Sequence, residues 1–487
     1  MTRRTSAARS AFRLAFFTVA LAAVPGPARA QAGPAGDRAF LAAIEAKAAS
    51  YGELARRIWG FAEVGYQEEK SSALLQERLR AAGFTVASGV AEMPTAFVAT
   101  YGSGKPVIAI IGEFDALPGL SQDSVPVRKV LVEGGPGHGC GHHLFGTASA
   151  AAAIAVKDWL AAGRRTGTVK FLGTPAEEGG GGKIYMIRAG LLADVDAVIA
   201  WHPGDLNQVT RATTLANTSA KFRFRGVSAH AAAAPEAGRS ALDGVEAMNA
   251  MVNLMREHVP AETRIHYIIT AGGKAPNVVP DFAEVYYYAR HSDMRILDGI
   301  WERIVKAADG AALGTGTTVE HEVVNSVYNV LPNDTLAGVM HRVLERVGGF
   351  AYTPEERAFA EGIRKTLTGT LPPLEASARI YPPEVGVSSG STDMGDVSWV
   401  VPTVQLGAAT WVPGTPAHSW QAVAAGGMSI GEKGMMVAAK TMALTARELF
   451  TNPALLASAR AEFERRLAGF RYASRVGDRK PPLDYRR

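Results

Sequence analysis

Three short apolar runs, Val107 to Gly112, Thr168 to Gly173 and Ala197 to Trp201, stand apart from one another across longer stretches of helical texture. Each ends on residues with chemistry to offer. The first runs into Glu113-Phe114-Asp115, the second into Thr174-Pro175-Ala176-Glu177-Glu178, and the third into His202. Apolar runs of this length suit strands buried on both faces, and their alternation with helices is the pattern of a doubly wound α/β layer. In such open sheets ligands bind beyond the carboxyl ends of the strands, so these acids and this histidine are placed to converge.

The pattern begins with an amphipathic helix expected around Phe40 to Phe61. Between residues 215 and 325 it is interrupted. Alternating strands there, such as Lys221 to Arg225 and Glu284 to Arg290, interleave with helices near Ser240 to Glu257 and Ile296 to Leu313, which predicts an α+β insertion. The doubly wound character resumes with a helix from Asn333, a polar stretch from Tyr352 to Ile380, a buried strand Val401 to Leu406 and a terminal helix before Asn452. One layer is thus expected to be built from residues 31–214 and 326–487, with a mixed sheet, around an inserted domain of residues 215–325. The alanine-rich stretch Ala148 to Ala153 reads as a helix packing closely on the sheet.

Residues 1–30 are of a different kind. Arg3, Arg4, Arg9 and Arg13 precede or open an apolar stretch, Leu14 to Val24, that ends near Ala28-Arg29-Ala30, the form of a cleavable signal peptide. The run is shorter than the roughly 20 residues a spanning helix needs. These thirty residues hold five arginines and no acid, so their removal lowers the 51 basic residues to 46, equal to the 46 acidic ones. A near-neutral mature chain gives no electrostatic reason to expect nucleic acid or an anionic membrane as partner. The expected address is exported, periplasmic or secreted, by a route the Arg3-Arg4 pair leaves open. The arginine-rich stretch after Arg471 is expected to be solvated.

The single cysteine, Cys140, cannot form an intramolecular disulfide. It lies in Gly137-His138-Gly139-Cys140-Gly141-His142-His143, where four ligand-capable side chains share one glycine-rich loop, so a metal is the better explanation for it. Glu177-Glu178 follows a strand and precedes Gly179-Gly180-Gly181-Gly182, a setting in which one carboxylate can bind metal while its neighbour works as a base. His202 and His418 each follow a buried strand; taken alone, either is as readily structural as functional.

Six ordered segments then become specific together: Glu113 to Gly119, Gly137 to His142, Pro175 to Gly179, Ser228-Ala229-His230-Ala231-Ala232, Gly272 to Asp281 and Gly390 to Trp399. In order and spacing they resemble the aminoacylase and carboxypeptidase-type metallopeptidase superfamily, in particular its amidohydrolase branch. The resemblance covers nearly the whole mature chain. It implies that Cys140, His142, Glu178, His202 and His418 bind two divalent metal ions, manganese or zinc, and that Glu177 is the general base. It further implies that Asp115 orients a ligand histidine, the alternative being a turn residue before Pro118. The inserted domain resembles the family's lid and dimerisation domain, in which a histidine like His230 reaches the partner subunit's active site, while Asn277 and Arg290 match positions that hold a substrate carboxylate. Without the resemblance, His230 reads as a capping or core histidine and Arg290 as a strand-surface arginine.

Two departures stand out. His143 follows the Cys-Gly-His triplet where relatives carry Asp or Asn; it is expected to support the ligands rather than join them, the alternative being a further ligand that alters metal preference. Glu113 occupies a place where distant relatives put a metal-binding histidine, which leaves its ligation open. The expected function is hydrolysis of an N-acyl amino acid, or a related small amide with a free carboxylate such as an acyl- or aryl-glutamate, by metal-activated water. A homodimer is expected, with a heteromer as the alternative. Two other functions fit the same residues: an exported dipeptidase or carboxypeptidase, and a non-catalytic subunit that binds a small acidic ligand.

Overall fold

The computed structural model describes residues 35–486, so the expected signal peptide lies outside the described residues. In chain order the strands are β1 (Thr85–Ser88), β2 (Phe97–Ser103), β3 (Val107–Gly112), β4 (Gly167–Gly173), β5 (Ala197–Gly204), β6 (Asn207–Thr210), β7 (Ala216–Arg225), β8 (Arg264–Ala271), β9 (Phe282–His291), β10 (Thr318–Val327), β11 (Ile380–Glu384) and β12 (Thr403–Ala409). One mixed sheet has the order β1-β2-β4-β3-β5-β12-β6-β11. Its centre, β4-β3-β5-β12, is parallel throughout, while β2 and β6 run antiparallel to their inner neighbours. Every residue of β3 is buried, which is why it reads as an unbroken apolar run.

The connections diverge at β3. The helix His142–Ala162 carries the chain from β3 to β4 on one side, and the helix Gly182–Arg188 carries it from β4 to β5 on the other. A crevice at the carboxyl ends of the strands follows from that reversal. The long helix packs on β3, β4 and β5 through small residues: Ala148 and Ala150 to Ala153 are buried. The approach is close enough that a Cβ on Gly146 would lie 2.7 Å from the Glu113 carbonyl oxygen.

The second sheet, β10-β7-β9-β8, is antiparallel. Burial along β9 alternates residue by residue, and Phe222, Phe224, Val285 and Tyr287 face the helices Ala241–Met255 and Met294–Thr315 in a core of their own. One face is covered and the other open, the usual condition of an antiparallel sheet.

The structure departs from expectation in four places. The first helix is two, Ala35–Glu45 and Ala48–Phe61, joined by a tight turn in which Lys47 N donates to Ile44 O at 3.1 Å. Ile44, Tyr51, Leu54 and Ile58 keep one buried period across that turn, so the pattern hides it. The polar stretch after Tyr352 contains a helix, Pro354–Arg364, opened by a capping box between Thr353 and Glu356. Beyond Asn452 a further helix, Pro453–Leu467, begins on its proline. Finally, the segment after Arg471 is docked rather than solvated. Tyr472 Oη donates to Asp396 Oδ1 at 2.8 Å, Arg475 pairs with Asp298, and Arg479 donates to the carbonyls of Val323 and Val324 at 2.9 and 2.6 Å. Its arginines bind carbonyls and a carboxylate, partners that come together only once the chain has folded.

Candidate metal centre

The glycine-rich loop before the helix His142–Ala162 turns at Gly141, whose φ of +76° suits glycine. It delivers Cys140 and His142 to the carboxyl end of β3, where both are buried. The turn after β4 brings Glu177 and Glu178 there through Ala176, a non-glycine residue at φ +56°. That conformation costs an L-residue about 1–2 kcal/mol. It is held by Glu68, whose Oε1 accepts from Ala176 N at 2.9 Å, and by Gly180 N and Gly181 N, which donate to Ala176 O. His418, beyond β12, is also left-handed at φ +58°, with its N donating to Gly139 O at 3.0 Å. His202 ends the same crevice on β5.

These side chains meet. Cys140 Sγ is 3.5 Å from both His202 Nε2 and His418 Nε2, and His418 Nε2 is 3.4 Å from Glu178 Oε1. Three groups, Cys140-His142-His202, Cys140-Glu178-His418 and Glu113-His142-Glu177, each have ligand atoms mutually within 4.8 Å. Because Cys140 and His142 are shared between groups, the positions adjoin, as a two-ion site requires. Donors about 2.1 Å from one ion at tetrahedral angles stand roughly 3.4 Å apart, the spacing seen here.

The histidine tautomers favour the same reading. His142 Nδ1 lies 2.8 Å from Asp115 Oδ1, and His202 Nδ1 lies 2.7 Å from Pro203 O. With acceptors there, both Nδ1 atoms carry a proton and each Nε2 faces the cluster. Against its burial, the carboxylates of Asp115 and Glu113 hold the His142 imidazole well above its usual range, so a cation must displace the second proton for its Nε2 to ligate. His142 Nε2, Glu113 Oε2 and Glu178 Oε1 are buried polar atoms without a hydrogen-bond partner. Glu113 Oε2 and His142 Nε2 stand 3.1 Å apart but are not aligned for a hydrogen bond. Unpartnered carboxylate oxygens and an imidazole nitrogen aimed at one cluster fit a bound cation.

Charge says the same. Glu113, Asp115, Glu177 and Glu178 lie in or beside the cluster, and the buried ammonium of Lys183 pairs with Glu113 and Asp393, its Nζ 2.8 Å from Glu113 Oε1 and 2.6 Å from Asp393 Oδ1. Burial, reinforced by the carboxylates of Glu113, Glu178 and Asp393, pushes Glu177 well above the usual carboxylate range. Burial draws the His202 imidazole down to about 4, leaving it neutral and able to ligate. Burial pushes the Cys140 thiol up, as does Glu178, so a thiolate there requires a compensating cation. The residues present therefore fit a pair of divalent ions.

The remaining residues expected from sequence fall elsewhere. Asp115 bridges: one oxygen holds His142 and the other accepts from Glu178 N at 3.0 Å. His143 joins no ligand group; its Nε2 donates to Gly426 O at 3.0 Å and its ring lies 4.8 Å from that of His138, anchoring the loop from behind. His230 is exposed, and its hydrogen bonds stay within its own loop, Nδ1 accepting from Ala232 N and Ala233 N. Asn277 is joined to that loop by Ala231 N donating to Asn277 O at 3.0 Å. Arg290 donates to Ser391 Oγ at 3.2 Å. No hydrogen bond or ion pair among the described residues carries His230, Asn277 or Arg290 to the metal cluster.

The model of peptidase family M20/M25/M40 matches residues 109–422, the span that holds every residue of the cluster. The chain belongs to that family. It is 43% identical over 449 residues to one of the subunits of the p-aminobenzoyl-glutamate hydrolase of Escherichia coli (strain K12), covering 87% of this chain and 93% of the relative. It is 31% identical over 440 residues to the Xaa-Arg dipeptidase of Mus musculus, covering 87% and 91%. Among solved structures, an aminobenzoyl-glutamate utilization protein from Klebsiella pneumoniae shares the fold, with a TM-score of 0.58 at 20% identity over 84% of this chain and 97% of that one.

Within this M20 fold, several residues of the site carried no signal in the sequence. Lys183 reads as an ordinary helix lysine, and Glu68 as a solvated acid, until the fold buries both. Asp393 lies in the segment Gly390 to Trp399, whose order and spacing are distinctive but whose chemistry the pattern did not reveal.

Proposed function

We propose that this M20 chain is an exported, binuclear metal-dependent amidohydrolase that releases an amino acid, glutamate foremost, from an N-acyl or N-aryl-acyl amide. The observation that carries the reading is the meeting of Cys140, His142, Glu178, His202 and His418 beside Glu177 at the ends of four parallel strands. The identity to the Escherichia coli p-aminobenzoyl-glutamate hydrolase subunit supports the glutamate preference.

When bound, two ions, zinc or manganese, would polarise the amide carbonyl and acidify water. Thiolate and imidazole ligands favour zinc, and the carboxylates accommodate manganese. Glu177, held above the usual carboxylate range by burial and by its acidic neighbours, is suited to accept the proton of the attacking water and to hand it to the leaving nitrogen. Asp115 keeps the His142 imidazole oriented. Asn277 and Arg290 receive the substrate carboxylate, and His230 of a second copy donates to the carbonyl oxygen as negative charge develops there. The partner subunit is thus part of the active site, whether it is an identical chain or a different one, as in a hydrolase assembled from more than one kind of subunit.

The decisive variant is Glu177→Gln, which keeps the side chain's size and removes its basicity. It is expected to lower kcat by about 10²–10⁴-fold, the range for loss of a general base, while two ions per chain remain by elemental analysis; full turnover in that variant overturns the assignment. A second reading, dipeptide hydrolysis, is favoured by the 31% identity to the Xaa-Arg dipeptidase. Comparing kcat/KM on p-aminobenzoyl-glutamate and other acyl-glutamates with that on Xaa-Arg dipeptides separates the two.

A further inference from the structure

The loop that carries Glu178 is closed by bonds to the carbonyls of Ala176 and Glu177, and none of these internal bonds falls on the Glu178 carbonyl. Four glycines follow, Gly179 to Gly182, of which Gly179 and Gly181 have φ of +97° and +68°. Glycine runs lose more backbone freedom on ordering than any other sequence, so bonds from outside the loop add to the restraint that its internal bonds supply.

The segment 468–486 supplies that restraint. After anchoring on the antiparallel domain through Arg475 and Arg479, it is gripped by Arg188, which donates to Gly477 O and Arg479 O at 2.9 and 2.7 Å. Gln67 Nε2 then donates to Leu483 O at 2.8 Å. At its end, Tyr485 Oη and Arg486 Nη2 both donate to the carbonyl oxygen of Glu178, at 3.1 and 2.7 Å. The Tyr485 ring packs edge-on against Tyr66, with centroids 5.7 Å apart, and Tyr66 Oη in turn donates to Gly180 O at 2.8 Å. Gly65 leaves the space, since a Cβ there would collide with Tyr485 Oη.

Glu178 is therefore clamped on both sides of its backbone. Its N–H is held by Asp115, which also orients His142, and its C=O by a phenol and a guanidinium from the far end of the chain. A bond from a charged donor is about twice as strong as a neutral one. If the carbonyl is released, the backbone of Glu178 can rotate and carry Oε1 away from His418 and Cys140.

We propose that Tyr485 and Arg486 are positioning residues for the metal ligand Glu178, and that residues 468–486 form a strap which sets metal affinity from the opposite side of the loop. This rests on the reading of Glu178 as a ligand. The strap acts through the backbone of Glu178 and takes no part in the chemistry.

The test uses the full chain with Tyr485→Phe, Arg486→Gln and the double variant. Metal affinity is measured by chelator competition, and hydrogen exchange of residues 176–182 is followed in metal-free protein. The double variant is expected to bind one of its two ions about 10–100-fold more weakly, the range for loss of a group that supports a ligand. It should also exchange faster across residues 176–182, and its lost turnover should return at saturating metal. Tyr485→Phe removes only a hydroxyl, so it provides the same readings, smaller in size, should the double variant fold poorly. Wild-type metal affinity and exchange in all three variants overturn the strap. The two readings fail separately: weakened metal binding and faster exchange, alongside a wild type that cleaves no amide, keep the strap and remove the proposed function. A hydrolytic wild type with unchanged variants does the reverse.

Discussion

Lys183 shows how far the site's chemistry depends on a residue outside the candidate ligand groups. Burial alone would pull its ammonium down, but Asp393 and Glu113 outweigh that effect and raise it, so the side chain stays charged. It occupies one oxygen of Glu113 and turns the other toward His142. Its backbone N also donates to Asp393 Oδ2 at 3.1 Å, so helix and side chain grip the same carboxylate. Removing one member of a buried ion pair leaves an uncompensated charge and costs about 3–5 kcal/mol. Lys183→Met is accordingly expected to lose about that much stability in denaturant unfolding, and adding Asp393→Asn should restore part of it. An additive double mutant would show that the two residues are not coupled. None of this was legible in the sequence. Cys140, His142 and Glu177-Glu178 declare themselves by type and spacing, whereas a lysine at the end of a glycine run acquires its meaning only from two carboxylates at positions 113 and 393.

At the scale of elements, the sequence carried most where local pattern and burial agree. The runs that became β3, β4 and β5 are buried on both faces, so their apolar continuity marks them directly. The antiparallel insertion announced itself by alternation for the same reason. What stayed hidden were the turn at Lys47, which an unbroken buried period conceals, and the docked segment after Arg471, which distant partners fix. The helix Pro354–Arg364 lies between these cases. Its signature, Thr353-Pro354-Glu355-Glu356, is a capping box that could have been read, and the structure shows both reciprocal bonds, Thr353 N to Glu356 Oε2 at 2.8 Å and Glu356 N to Thr353 Oγ1 at 3.2 Å. The helix packs Phe359 and Ile363 against Trp411 and Val412, which lead into the turn bearing His418. Thr353→Ala is expected to cost about 1 kcal/mol of stability, measured by chemical denaturation, with metal stoichiometry unchanged. A loss of metal with no loss of stability would show that this helix supports the His418 turn rather than the fold.

For the molecule as a whole, Asp396 ties three parts together and makes stability depend on pH. Its carboxyl is fully buried, accepting from Tyr328 N at 3.1 Å and from Tyr472 Oη at 2.8 Å. Tyr328 and neighbouring Trp399 belong to the core of the antiparallel domain, and Tyr472 belongs to the strap. Burial pushes this carboxyl up to about 7, against an ordinary value of about 3.9 in the unfolded chain. The folded state therefore keeps a proton that the unfolded state gives up. Where the folded state holds more protons, stability falls as pH rises, so this residue weakens the fold progressively from about pH 4 to pH 7 and adds no further slope above that. Three pKa units correspond to about 4 kcal/mol, the most this group can contribute. Asp396→Asn removes the titration but leaves a single oxygen to serve two donors, so at pH 4 the variant is expected to be less stable than the wild type. Raising the pH to 8 should close or reverse that gap, because only the wild type must then bury a carboxylate. Measuring both proteins free of metal, by urea unfolding across this range, cancels the remaining carboxylates, which are common to the two. A difference between them that stays constant from pH 4 to pH 8 would mean that Asp396 is ionised in the folded protein throughout, stabilised by its two donors in spite of its burial.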